Sequence, residues 1–318
     1  MSIAVRNLTK LYGDEKAVND ISFDVKTGEI LGFLGPNGAG KTTTMKIVTC
    51  YMPQTAGSVE VDGLNTLDYS LEVRRKIGYL PELNPLYLDM NVLEYLEYSA
   101  RLHGLRDAQL RQRQNEMVEV CGLQDVRHKD ISELSKGYRQ RVGLAQSMIH
   151  DPEVLILDEP TSGLDPNQIV EIRNLIRRLG SAKTVILSTH ILSEVQATCD
   201  RVVIINEGSI VADGTPDELK QSFRGSESVT VELKIETPNP MQDLFPKLGS
   251  LQHVETVDYR GSNGPVHKFV VHATKGSDIR EELFRQAIAQ RWVLLEMSRQ
   301  STSLEEIFHK LTQSDAAH

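Results

Sequence analysis

The stretch GPNGAGKT, residues 35–42, decides how the first part of this 318-residue chain folds. It matches G-x-x-x-x-G-K-[ST] and lies between a strand signal, EILGFLG (29–35), and a helix signal, KTTTMKIVTC (41–50). Gly35, Gly38 and Gly40 let the backbone curl so that its N–H groups point at phosphate oxygens, with Pro36, Asn37 and Ala39 between them. The helix that follows adds positive potential at its N-terminus. Lys41 is placed to reach the β- and γ-phosphates. The Thr42 hydroxyl is placed to ligate Mg²⁺, with Thr43 beside it. A glycine-rich turn with a surface lysine is the plainer alternative. It is disfavoured because every motif position is met in the required strand–helix context.

A nucleotide and its metal explain a second stretch, EVLILDEPTSGLD (153–165). An apolar strand there runs into two adjacent carboxylates. Two such charges about 4 Å apart repel by roughly 4 kcal/mol at an effective dielectric near 20. A bound Mg²⁺ removes that objection. Neighbouring residues of a strand point to opposite sides, so the two should differ in role. Asp158 suits the metal-side carboxylate. Glu159 suits the group that orients and deprotonates an attacking water.

Composition sets the outer limits. At 40% hydrophobic and 25% charged the chain is an ordinary globular protein. A net charge of −9 argues against a general nucleic-acid binder. Cys50, Cys121 and Cys199 form no close pair, which argues against a disulfide framework or a zinc site. The start, MSIAVRNLTK, lacks the apolar core of a signal peptide. No apolar run approaches the roughly 18 residues of a membrane helix.

Short β-rich runs alternate with helical stretches as far as about Phe223: ISFDV (21–25), EILGFLG, EVLILD, KTVILST (183–189) and DRVVIIN (200–206). That pattern predicts a mostly parallel α/β sheet. Strand signals vanish between about 90 and 150, which predicts a helical insert. SFRGSES (222–228) reads as a linker. Beyond it, SVTVELKI (228–235) alternates, with Val229, Val231, Leu233 and Ile235 on one face. The order that follows is β-α-β-β-α-β, a ferredoxin-like arrangement, with Asp278 as a candidate N-cap for its second helix. A last helix would carry Leu304, Ile307, Phe308 and Leu311 on one face, capped by Ser303 and Glu306. The expected domains are therefore 1–222 and 228–312.

Further motifs decide among nucleotide-binding folds. LSKGYRQR (134–141) precedes the carboxylate strand, SGLD (162–165) follows it, and ILSTH (186–190) places His190 at the end of the next strand. Signature, Walker B, D-loop and switch histidine, in this order and spacing, resemble the ATP-binding subunit of ABC transporters over about residues 1–220. The resemblance implies a P-loop NTPase that binds ATP and Mg²⁺ and hydrolyses ATP, with Glu159 and His190 catalytic. Tyr12, in LTKLYG (8–13), matches the aromatic on which adenine stacks, and Val18 lies nearby. Ser135 and Gly137 match the signature groups that reach a second subunit's γ-phosphate. Asp165 matches the D-loop residue facing that subunit. The implied partners are a polytopic permease and a second ATP-binding subunit, expected to be another copy of this chain. No nucleic acid is expected.

Two departures narrow the branch. The usual LSGGQ is LSKGY here, with Lys136 and Tyr138 at the changed positions. In IGYLPELNP (77–85) Glu82 replaces the Q-loop glutamine, and its carboxylate still offers oxygen to Mg²⁺. With the SLEEIFHKLT ending (303–312), these look like the ABC-2-type export branch, similar to the gliding-motility-associated and drug-resistance-type ATP-binding proteins. That branch implies a place on the cytoplasmic face of the membrane, held by the permease. A soluble ABC ATPase of translation or DNA repair is one rival. It is disfavoured by a single P-loop, a short insert, no cysteine cluster and the acidic balance. A subunit that binds ATP but hydrolyses it poorly is the other, opposed by intact Glu159 and His190.

Overall fold

The computed structural model describes residues 2–222, 228–235, 239–274, 277–300, 305, 308 and 311–312. The chain divides into two compact units, Met1–Pro216 with Lys310–His318, and Asp217–His309. Ser303, Leu304, Glu306 and Ile307 of the last expected helix, and most of the SFRGSES segment, lie outside the described residues.

The first unit opens with a hairpin of two long strands, β1 (Ile3–Tyr12) and β2 (Glu15–Val25). Strand β3 (Ile30–Leu34) is buried along its whole length and feeds the phosphate loop and helix α1 (Lys41–Val48). Next come β4 (Ala56–Val61), β5 (Leu64–Asn65), α2 (Ser70–Lys76) and β6 (Ile77–Leu80). The helical insert follows as α3 (Val92–Leu102), α4 (Asp107–Val120) and α5 (Lys136–Met148). Then β7 (Val154–Asp158), α6 (Pro166–Gly180), β8 (Thr184–Thr189), α7 (Leu192–Thr198), β9 (Arg201–Asn206) and β10 (Ser209–Gly214) complete the sheet.

Six strands form one sheet in the order β10-β9-β3-β8-β7-β6, parallel except for β10. That is the α/β sheet expected from the sequence. The sequence pattern did not separate off a second, antiparallel sheet, β2-β1-β4-β5. Its strands are bulged: the β1–β2 register shifts between Val5 and Leu8 and again up to Leu11, and Asn7 and Asp20 have positive φ. Bulges break the two-residue alternation by which a strand is read from sequence.

Helix α1 is packed between the two sheets. One core holds its Met45, Ile47 and Val48 together with Ile3, Val5 and Val59 from the antiparallel sheet and Ile156, Ile186 and Val203 from the parallel one. The side chains of α1 are thus covered on both sides, which fixes the position of its N-terminus. Strands β3, β7 and β8 lie side by side in this sheet, so their C-terminal ends meet at one edge. Ligands of open α/β sheets bind at that edge.

The second unit comprises β11 (Ser228–Lys234), the short helices α9 (Pro240–Asp243) and α10 (Phe245–Gly249), β12 (Val254–Asn263), β13 (Val266–Ala273), α11 (Arg280–Ala289) and β14 (Val293–Gln300). Helix α8 (Pro216–Ser222) precedes it. The sheet order is β12-β13-β11-β14, all antiparallel, which is the expected ferredoxin-like topology. Val229, Val231 and Leu233 are buried and Ile235 packs against them. The cap of α11 differs by one position. Ile279 is the N-cap residue, and the Asp278 carboxylate accepts from the Arg280 N–H and pairs with its guanidinium. A local ion pair has won over the capping box.

His103, which ends α3, stacks flat on His150, just before β7, with ring centroids 3.8 Å apart. The His150 Nε2–H donates to the Ile77 carbonyl at 3.2 Å. Burial, with His103 next, pushes the His150 pKa down to about 4 from an ordinary 6.5. The unfolded chain therefore takes up a proton near pH 6.5 that the folded chain refuses until about pH 4. Stability from this site is complete above pH 6.5 and is lost as pH falls toward 4. We expect wild type to lose roughly 1–3 kcal/mol more than His150→Phe between pH 7.5 and 4. Urea unfolding of both proteins at the two pH values measures the difference.

Candidate nucleotide site

A cleft of about 360 Å³ at the strand-end edge is lined by Asn37, Gly38, Gly40, Lys41, Thr42 and Thr43 of the phosphate loop, with Ala17, Glu82, Glu159, Ser162 and His190. Five separate stretches of sequence meet there: four follow the neighbouring strands β3, β8, β7 and β6 of the parallel sheet, and Ala17 comes from β2. Gly40 holds the loop in shape. Its φ is 102°, and a Cβ there would come within 2.4 Å of the Ala17 carbonyl oxygen. A Cβ on Gly35 would meet the Ile205 carbonyl oxygen equally closely. The backbone can run this tight only with glycine at both positions.

Lys41 is almost fully buried. Its ammonium donates to the carbonyl oxygens of Gly35 and Pro36, at 2.8 and 3.1 Å, and lies 3.4 Å from Glu159 Oε1. The other carboxylate oxygen of Glu159 accepts from His190 Nδ1–H at 2.9 Å. Glu159 is thus held between Lys41 and His190. Its orientation does not follow from strand alternation, as the sequence suggested. Strand β7 ends at Asp158, and Glu159 takes a left-handed φ of 49°. That turn lifts the carboxylate out of the sheet edge and into the cleft.

Asp158 has no exposed surface, and neither of its oxygens has a hydrogen-bond partner among the described residues. A buried carboxylate in that condition costs several kcal/mol unless something else satisfies it. A divalent cation fits the requirement, since Thr42 and Glu82 line the cleft and supply further hard oxygen donors.

The remaining predicted residues do not enter this cleft. Ser135 is the N-cap of α5, and its hydroxyl accepts from the Tyr138 N–H. Asp165 is the N-cap of α6 and accepts from the N–H groups of Asn167 and Gln168 at 3.0 Å. These two helix starts touch: a Cβ on Gly137 would meet the Gln168 side chain at 2.7 Å, and Lys136 Nζ sits against Gly163. Tyr12 is half-exposed at the end of β1, its hydroxyl 3.1 Å from Met52 Sδ. Val18 is a correction. It has no exposed surface and packs under Gly40 as part of the core, while its neighbour Ala17 lines the cleft. The sequence reading placed Val18 in a loop, whereas β2 turns it inward. Ser162 went unrecognised as a cleft residue. Its place in the turn after Glu159 was the available signal.

Comparisons with known proteins agree with this geometry. Residues 18–162 match the family described as ABC transporter, and residues 214–312 match the C-terminal domain of DrrA1-3-like ATP-binding proteins. The bacitracin transport ATP-binding protein BcrA of Bacillus licheniformis is 33% identical over 311 residues, covering 97% of this chain and 96% of that protein. The chain belongs to the ABC transporter ATP-binding proteins. Daunorubicin resistance ATP-binding protein DrrA3 of Streptomyces coeruleorubidus is 39% identical over 225 residues, 70% of this chain and 71% of that one. Among solved structures, the dimeric bacterial ABC transporter cassette MJ0796 superposes with a TM-score of 0.62 at 28% identity. It covers 67% of this chain and 98% of its own. As a member of the family, the chain is an ATP-binding and ATP-hydrolysing transporter subunit. Its C-terminal domain and its resistance-type relatives set it in the ABC-2-type export branch.

Gly40→Ala combines an unfavourable φ with a backbone collision. We expect it to weaken ATP binding at least roughly tenfold and to destabilise the fold by about 1–3 kcal/mol. Calorimetric titration with ATP and a thermal melt of the same variant measure both.

Proposed function

We propose that this chain drives export of a substrate through a separate, polytopic ABC-2-type permease, by closing and opening as a dimer around ATP. One observation supports the dimer above the others. The residues expected to hold one nucleotide fall into two groups in a single chain. The phosphate loop, Glu159 and His190 share a cleft, while Ser135, Gly137 and Asp165 gather at the starts of α5 and α6, outside it. Two copies set head to tail bring the second group of each to the cleft of the other. Most simply the partner is a second copy of this chain.

The proposed roles join the cleft to what the family resemblance implies. The phosphate loop N–H groups and Lys41 bind the phosphates, and Tyr12 stacks on adenine. Thr42 and Asp158, with Glu82, would hold Mg²⁺, which supplies charge neutralisation on the phosphates when bound. Lys41 then turns from Glu159 to phosphate, freeing one carboxylate oxygen. Glu159 takes the proton of the attacking water, and His190 turns from the carboxylate to the γ-phosphate. In the partner's site Ser135 and Gly137 supply a hydroxyl and a backbone N–H to the same phosphate.

The coupling face adjoins the cleft. A second hollow of about 370 Å³ is lined by Glu82, Leu83, Asn84, Pro85, Leu86 and Leu88 together with Lys136, Arg139, Gln140, Glu159 and Ser162. Leu83 is 85% exposed, and Tyr87 and Leu88 are exposed beside it. An apolar loop ending on the catalytic carboxylate suits a contact that carries closure to the permease. Among the described residues no helix is long and apolar enough to cross a membrane. The chain would therefore lie peripherally, on the cytoplasmic face, held by that permease.

Glu159→Gln should lower the ATPase rate by about 10²–10⁴-fold. With ATP present it should also hold the dimer closed. Steady-state assays and size-exclusion chromatography, with and without ATP, check both effects. Equal rates for wild type and variant would remove Glu159 from the role of base. A pull-down of the variant from solubilised membranes should recover a polytopic protein. Recovery of soluble partners alone would overturn the permease reading.

A further inference from the structure

The catalytic pair rests on a buried carboxylate that no motif reading singles out. Glu194, in α7, is 2% exposed. Its Oε1 accepts from the Thr161 hydroxyl at 2.5 Å, and its Oε2 accepts from the Thr189 hydroxyl at 2.8 Å. Both threonines are themselves buried, at 2% and 0% exposure. Thr161 stands two residues after Glu159, in the turn that the left-handed φ of Glu159 begins. Thr189 stands immediately before His190.

The Walker B turn and the switch loop are therefore joined twice. The upper join is the Glu159–His190 contact itself, at 2.9 Å. It faces the cleft and has to give way when a water and a phosphate enter. The lower join, Thr161–Glu194–Thr189, is sealed from solvent and carries no group that reacts. Thr189 extends it further. Its hydroxyl oxygen accepts from the Ile191 N–H at 3.0 Å, and its carbonyl accepts from the Gly35 N–H at 3.3 Å, at the entrance of the phosphate loop. One carboxylate thus ties three strand ends of the site.

A carboxylate is a costly choice for packing alone, since a leucine would fill such a position without desolvating a charge. Both oxygens being used, and on the two segments that carry base and switch, is what packing does not require.

We propose that Glu194 is a positioning residue for hydrolysis. Through Thr161 and Thr189 it holds the spacing of Glu159 and His190 once nucleotide has opened their direct contact. This rests on the assignment of those two as base and switch. A displacement of about 1 Å at a reacting group costs up to about 100-fold in rate.

The test is the steady-state ATPase of Glu194→Ala, Glu194→Gln, Thr161→Val, Thr189→Val, the double valine variant, and the two serine variants at the same threonines. In the full-length protein, Glu194→Ala should lower kcat at least roughly tenfold with KM for ATP within about twofold. Each valine variant should do the same. The double variant should be no worse than the singles, because both cut one link. Glu194→Gln and the serine variants keep hydrogen-bonding groups in place and should stay within about threefold of wild type. Thermal melts identify any variant that fails to fold, and the serine and glutamine forms then carry the test. Valine effects that multiply, a rise in KM matching the loss, or an unchanged kcat in Glu194→Ala overturns the inference while wild-type activity leaves the functional reading intact. A wild type without ATPase activity overturns both.

Discussion

Asp158 sits at the end of a fully buried strand with no exposed surface and no hydrogen-bond partner among the described residues. That unmet charge is the constraint on which the site depends. The chain tolerates it because the parallel sheet places the end of β7 beside the ends of β3 and β8, where a phosphate loop and its helix supply positive potential. Packing α1 between two sheets fixes that source of potential in place. The core of the first unit and the electrostatics of the cleft are consequently one arrangement. The same residues that exclude water from α1 aim its N-terminus at the site.

Around Asp158 the remaining charges are held in a resting pattern. Lys41 spends its donors on two loop carbonyls and on Glu159, and Glu159 divides its oxygens between Lys41 and His190. Each of these contacts is one that a bound phosphate can replace. The buried Thr161–Glu194–Thr189 link has no such exchange available, and it is the part that can keep its geometry throughout.

Motif spacing was enough to name the family, since its strongest signals are local. The phosphate loop needs glycine at set positions and a lysine next to a helix start, and all of that fits in eight residues, 35–42. The β-α-β-β-α-β order of the second unit was equally legible, because SVTVELKI alternates cleanly and Val229, Val231 and Leu233 all face its core. Although ISFDV of β2 reads as a strand, its pattern counts it with the parallel ones, and the antiparallel sheet of the first unit was not legible as a separate sheet. Its strands are kinked by residues such as Asn7 and Asp20 at positive φ, so their apolar residues fall out of a two-residue rhythm. Val18 was misplaced for the same reason.

By itself, then, the sequence determined the local features: a phosphate-loop motif, two carboxylates at a strand end and a histidine at the end of the next strand, each recognisable from its neighbours in the chain. Tertiary structure alone decided which of them share a space. Ser135, Gly137 and Asp165 carry signals as clear as those of Lys41, yet they lie at the starts of two other helices, away from the cleft. Glu194 carries no signal of its own, yet through Thr161 and Thr189 it joins the segments that carry Glu159 and His190. The physical reason is that a motif specifies local backbone and side-chain type. Distance between motifs is set by strand order and by the packing of helices on the sheet, which no short stretch encodes.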